Sequence, residues 1–130
     1  MTSSAIGRLG WLQVDCEDPA QLADFWARML ATDVRASLGD PPQYVTLNSP
    51  QAGAPRIAFQ RVPEGKTGKN RLHFDLAVPD LTAAIGQAIS LGATATPNGD
   101  FAEYELRWTV MRDPEGNEFC LVQEEASTGG

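Results

Sequence analysis

The sequence predicts an α+β domain made of two tandem β-α-β-β-β modules with a mainly antiparallel sheet, and three observations predict it. A short strand-like run ending at an aspartate occurs twice, in Gly10 to Asp18 and again in Arg71 to Asp80. The two runs lie about sixty residues apart, within the range of repeated supersecondary units. Each run is followed by an apolar stripe at helical spacing, and each stripe by three short β-rich segments. A chain of 130 residues, 42% of them hydrophobic, can close a core without disulfides. Residues 1–130 therefore read as one domain: module one over about 5–62, a linker over 63–70 and module two over 71–124.

Leu9 to Cys16 alternates polar and apolar residues, so Trp11, Gln13 and Asp15 share one strand face and Leu12, Val14 and Cys16 the other, which is the core side. Asp18-Pro19 is a helix start, with aspartate as N-cap and proline at the first helical position, where a missing N–H costs nothing. Leu22, Phe25, Trp26, Met29 and Leu30 then give a helix that covers a sheet. Val34 to Leu38, Tyr44 to Leu47 and Arg56 to Val62 follow as strands, broken at Gly39 to Pro42 and at Asn48 to Pro55. Pro63 to Asn70 is polar, carries two glycines and two lysines, and reads as linker.

The second module repeats this order. His73 to Val78 is its first strand and Asp80 its N-cap. Leu81, Ala84, Ile85, Ala88 and Ile89 form the helical stripe, which Gly92 ends as a left-handed C-cap. Ala93 to Thr96, Tyr104 to Met111 and Glu118 to Gln123 supply three strands, the last two joined by a turn at Asp113-Pro114-Glu115-Gly116-Asn117.

Bulk properties exclude several function classes. A formal charge of -7 and a pI near 4.5 do not suit a nucleic-acid binder. No apolar run is long enough to span a bilayer, and Met1 to Arg8 lacks the pattern of a secretory signal, so a cytoplasmic protein without membrane partners is expected. Cys16 and Cys120 have no Cys-x-x-Cys spacing and read as free thiols. Arg56, Arg61, Lys66, Lys69 and Arg71 crowd one segment with only Glu64 opposing them. This patch either attracts an anionic group or solvates a linker. Gly65 and Gly68 lack the context of a phosphate loop.

The duplicated modules, the Asp24-Phe25-Trp26 of the first helix, the run from His73 to Asp80 and the hairpin Asp113-Pro-Glu-Gly-Asn-Glu-Phe119 together resemble the vicinal oxygen chelate superfamily. Its members include glyoxalase I, bleomycin-resistance proteins, fosfomycin-resistance transferases and extradiol dioxygenases. The likeness is nearest to small bacterial glyoxalase-like domains. It implies half-barrels bent around a cleft and a homodimer. In metal-using members, the first and fourth strands of each module each carry one ligand. Here the resemblance places those positions at Trp11, Gln60, His73 and Cys120, pairing Trp11 with His73 and Gln60 with Cys120. That set lacks the carboxylate that would offset a divalent metal and move a carbon-bound proton. Glyoxalase I isomerisation is therefore not expected, and a single histidine cannot complete the two-histidine, one-carboxylate set of iron dioxygenases.

Each candidate has a structural alternative. His73 either lines the functional cleft or is a hydrogen-bonded structural residue. Cys120 is either a nucleophile or soft ligand, or a small buried hydrophobe. Trp11 either stacks on a flat ligand or fills the barrel. Gln60 either orients a substrate or satisfies backbone. By strand alternation Asp75 joins the face of His73 and Glu118 that of Cys120, so His73 with Asp75 or Glu118 is a second possible site. Same-face neighbours sit roughly 7 Å apart along a strand, so that site would need a rearranged cleft.

The first expectation is a small-molecule-binding protein without the full metal tetrad, which uses Trp11, Gln13, Gln60, His73, Trp108 and Cys120. The acidic chain suits a cationic ligand. The alternative is a metal-dependent lyase or isomerase with His73 and Glu118 or Asp75 in catalytic roles and His73 as metal ligand. A non-catalytic interaction module is the third.

Overall fold

The computed structural model describes residues 5–103 and 105–124. The order is β1 (Trp11–Cys16), α1 (Pro19–Leu30), β2 (Val34–Leu38), β3 (Tyr44–Leu47), β4 (Arg56–Arg61), β5 (Phe74–Val78), α2 (Leu81–Leu91), β6 (Thr94–Glu103), β7 (Leu106–Arg112) and β8 (Glu118–Gln123). The chain separates into two compact units, Met1–Gly65 and Lys66–Gly130.

Both units are built alike. The first holds an open sheet in the order β1-β4-β3-β2, the second one in the order β5-β8-β7-β6. In each sheet the first and last strands of the unit pair in parallel and the other pairs are antiparallel, so both sheets are mixed. Asp18 caps α1 by accepting from the Gln21 N–H at 3.2 Å, and Asp80 caps α2 by accepting from the Ala83 N–H at 3.1 Å. Gly92 ends α2 at φ 118°, a left-handed geometry that glycine adopts without a Cβ penalty.

In the first unit α1 buries Leu22, Phe25 and Trp26 against the sheet, where Val45, Leu47, Ile57 and Phe59 receive them. Cys16 is buried on the same side, while Trp11, Gln13 and Asp15 stay exposed, as the alternation predicts. In the second unit Leu81 and Ala88 of α2 meet a layer of Met111, Phe119 and Leu121. The expected stripe is off by one face at its end: Ile89 is 49% exposed and Leu91 is the half-buried residue of the last turn.

Several strand boundaries also differ. Arg61 ends β4, one residue before Val62. His73 lies just outside β5. The strand expected at Ala93 to Thr96 runs on to Glu103, because a register shift between Ala95 and Asp100 absorbs Pro97 and Asn98, the latter at φ 55°. A bulge on an edge strand tolerates such residues, and Thr96 Oγ1 bridges it by donating to the Val110 carbonyl at 2.8 Å. The expected start of the next strand, Tyr104, lies outside the described residues; β7 begins at Leu106.

Candidate functional site

Residues opposite one another on paired strands project to the same face. In the second unit Asp75 stands opposite Cys120, Val110 opposite Cys120, Trp108 opposite Val122 and Arg112 opposite Glu118. Thr109, Met111, Phe119 and Leu121 face α2. The helix-free face therefore carries Asp75, Glu118, Cys120, Trp108 and Arg112, with His73 at its edge. Trp108 stacks on Phe101 with ring centroids 5.4 Å apart and planes at 16°, and Phe101 stays 46% exposed.

His73 Nε2 lies 3.1 Å from Asp75 Oδ1. The donor atoms of His73, Asp75 and Cys120 all fall within 4.8 Å of one another. No rearrangement is needed: His73 stands outside the regular strand, so its ring leans along the face towards Asp75. Burial pushes the Cys120 thiol up to about 11, and the nearby Asp75 carboxylate, by charge and by hydrogen bond, adds to the rise. At neutral pH this sulfur is a thiol, which does not suit an unassisted nucleophile. Glu118 is shifted the other way. Its hydrogen bond from Lys69, Nζ to Oε1 at 2.7 Å, holds it below the usual carboxylate range, and the charges of Lys69, Arg112 and Lys66 reinforce this.

Two loops fix this face. The Asp113 carboxylate, 4% exposed, accepts from the Glu115 and Asn117 N–H groups at 2.9 Å each and from Asn117 Nδ2 at 3.0 Å, which sets the hairpin that aims β8. Asn70 accepts from the Glu118 N–H at 3.3 Å and donates to the Leu72 carbonyl at 3.1 Å. With the Lys69 contact, these bonds attach the end of the segment read as linker to β8.

The first unit offers a different face. Trp11 is 48% exposed rather than packed inside, and the Arg56 guanidinium lies 5.2 Å from its ring centroid. Gln60 Nε2 donates to Tyr44 Oη at 3.4 Å, and Gln13 is exposed. The structure thus brings His73, Asp75, Cys120 and Glu118 onto one face and places Trp11, Gln13 and Gln60 in the other unit.

One sequence-based pairing is corrected. The register that sets Asp75 against Cys120 sets Gln13 against Ala58, and β4 and β8 share one burial pattern from end to end. The offset that carries Trp11 to His73 and Asp18 to Asp80 carries Ala58, not Gln60, to Cys120. Gln60 keeps the right face but sits one pleat along, because no turn of the Asp-Pro-x-Gly kind anchors the fourth strand. Trp11 and Ala58 have no donor atoms for a metal, so a ligand set shared by four strands does not fit these residues. His73, Asp75 and Cys120 are the group among the described residues that could hold a cation, and a histidine, a thiolate and a carboxylate suit zinc. Phe101 and Arg112 were missed as functional candidates; Arg56, named in the basic segment, meets Trp11 only through the β1–β4 register, which alternation does not give.

Comparison with known proteins gives a consistent picture. A family profile for a glyoxalase-like domain matches residues 11–122. No curated protein matches the chain. Among solved structures, a glyoxalase/bleomycin resistance protein/dioxygenase family enzyme from Burkholderia phytofirmans PsJN superposes with a TM-score of 0.71 at 18% identity, covering 90% of this chain and 98% of that one. A member of the same superfamily from Sphaerobacter thermophilus DSM 20745 gives 0.67 at 22% identity, with coverages of 92% and 98%. A glyoxalase family protein from Bacillus anthracis gives 0.65 at 13% identity, with coverages of 95% and 100%. At these identities the structural likeness concerns the fold.

Proposed function

The chain belongs to the glyoxalase-like domain family of the vicinal oxygen chelate superfamily, and on that premise we propose that it binds a small organic molecule on the helix-free faces of its sheets without a four-ligand metal centre. One observation carries the reading: the stack of exposed Phe101 on half-buried Trp108 shares a face with the polar group of His73, Asp75 and Cys120. A flat ligand would continue the stack on its free side, where each aromatic contact adds about 1 kcal/mol beyond burial. His73 would then face the ligand's polar end. The first unit, taken by itself, offers Trp11, Gln13 and Gln60 as its own stacking and amide groups.

The test is a screen of aromatic and heteroaromatic small molecules by tryptophan fluorescence, with and without chelator. Saturable quenching that survives chelator and weakens in Trp108→Leu supports the reading. Quenching that Trp108→Leu and His73→Ala both leave unchanged overturns it.

A second reading, a metal-dependent lyase or isomerase, is favoured by the convergence of three donor atoms within 4.8 Å. Held there by His73, Asp75 and Cys120, a divalent cation would polarise a substrate oxygen, with Glu118 the carboxylate left outside the donor group to accept a proton. Elemental mass spectrometry of untagged protein purified without chelator distinguishes the two: one equivalent of metal, lost in His73→Ala, selects this reading. A homodimer is proposed on the family likeness alone and is tested by sedimentation. No helix among the described residues is long and apolar enough to cross a membrane.

A further inference from the structure

The second unit carries an open pocket of about 420 Å³ between the segment leading into β5 and the β7–β8 hairpin. Lys66 and Lys69 come from one side, Arg112 and Glu118 from the other. Gly68 and Gly116 line it without side chains, and a Cβ added at either would meet open space. Three cations therefore face Glu115 and Glu118, and Glu118 is already engaged by Lys69 at 2.7 Å. Among the described residues Lys66 Nζ donates to the carbonyl of Gly68 and makes no ion pair. Among the described residues the Arg112 guanidinium makes no hydrogen bond or ion pair. The Glu118 carboxylate, which accepts from Lys69 Nζ, is itself an anion seated in this pocket.

We propose that this pocket binds an oxyanion, the carboxylate or phosphate group of a small molecule, with Lys66 and Arg112 as its partners and Lys69 shared between the ligand and Glu118. The chain's charge of -7 points to a cationic ligand, but salt screens distant charges within roughly 8 Å, so the nearby cations decide. A guanidinium with free donors suits an oxyanion because it can give two parallel N–H···O bonds. Glu118 and Cys120 are same-face neighbours roughly 7 Å apart. An anionic group held here leaves the rest of a small molecule within reach of His73, Asp75 and Cys120. The inference stands on the pocket alone and does not require the stacking site at Trp108.

The experiment is a ¹⁵N NMR titration of the full chain with inorganic phosphate and, separately, with acetate, at constant ionic strength. Saturable shifts confined to the amides of residues 66–69, 112 and 115–118 are expected. Lys66→Gln and Arg112→Gln should each weaken binding about threefold to tenfold, the range for a partly exposed charge-assisted contact. Glu118→Gln should tighten it, because Lys69 is released. Saturation with phosphate alone assigns a phosphate group, saturation with acetate alone a carboxylate, and saturation with both a site selective for charge only. Shifts that stay linear with both anions, or spread over all basic residues, overturn the proposal, as does an unchanged or weakened affinity in Glu118→Gln with its spectrum otherwise native. Failure of the stacking site would leave these amide shifts untouched, so the two readings fail separately.

Discussion

Replacing Asp75 by Asn tests the geometry of the polar face through a single proton. Cys120 stands at about 11 instead of its ordinary 9.0, with burial as the first cause and Asp75 as the next. At pH 9 the wild-type sulfur is then about one per cent thiolate. If the carboxylate contributes somewhat less than burial, its removal lowers the value by about one pH unit and raises the thiolate population at pH 9 about tenfold. Thiolate absorbance at 240 nm, followed from pH 7 to 12, reads this directly. Subtracting the same titration of Cys120→Ser removes the signals of Cys16 and the tyrosines. A Cys120 transition that stays in place in Asp75→Asn means that the carboxylate does not face the sulfur, and the grouping of His73, Asp75 and Cys120 is then wrong.

Three further outcomes are expected. The raised thiol value favours the neutral form in the folded chain, so its stabilising effect is complete below the ordinary thiol value of 9.0 and is lost as pH rises towards 11; urea unfolding should show wild type losing about 2 kcal/mol more than Cys120→Ser between pH 8 and pH 11. Asp113→Ala leaves two hairpin N–H groups and the Asn117 amide without their acceptor and should cost about 2–4 kcal/mol in the same assay. Gly99→Ala places a methyl 2.8 Å from the Val110 carbonyl and 2.1 Å from Thr96 Oγ1, so a loss of about 1–3 kcal/mol with broadening of the Thr96 and Val110 amide signals is expected.

The duplication was legible because its markers are local. Asp18 and Asp80 cap their helices through contacts three residues away, and Gly92 needs only its own backbone freedom. Alternation along β1 separates Trp11, Gln13 and Asp15 from the core side without any knowledge of partners. Register is not local. Whether Ala58 or Gln60 matches Cys120 depends on how β4 pairs with β1, and both residues lie on the same face, so alternation cannot choose between them. The length of β6 was hidden for a related reason: Pro97, Asn98 and Gly99 read as a break, and only pairing with β7 reveals that the strand bulges past them. The meeting of His73 with Asp75 depended on a ring orientation that strand spacing does not encode. The basic segment showed its charge but not its destination, since the docking of Lys69 and Asn70 on β8 spans almost the whole second unit.

The parallel pairing of each unit's first and last strands has a consequence for how the chain acquires its structure. β1 has β4 as its sheet neighbour and β5 has β8, so the strand that begins each unit waits for the strand that ends it. Helix and hairpin contacts form early because they close short loops. The joining of first to last strand closes a loop nearly as long as the unit and carries the larger entropic cost, which slows folding. On the ribosome, β1 stays without its partner until Arg56–Arg61 has emerged, by which time α1 and the β2–β3 pair can already have formed. Asp75 and Cys120 come from β5 and β8, so the polar face of the second unit is complete only once the long loop between these strands has closed.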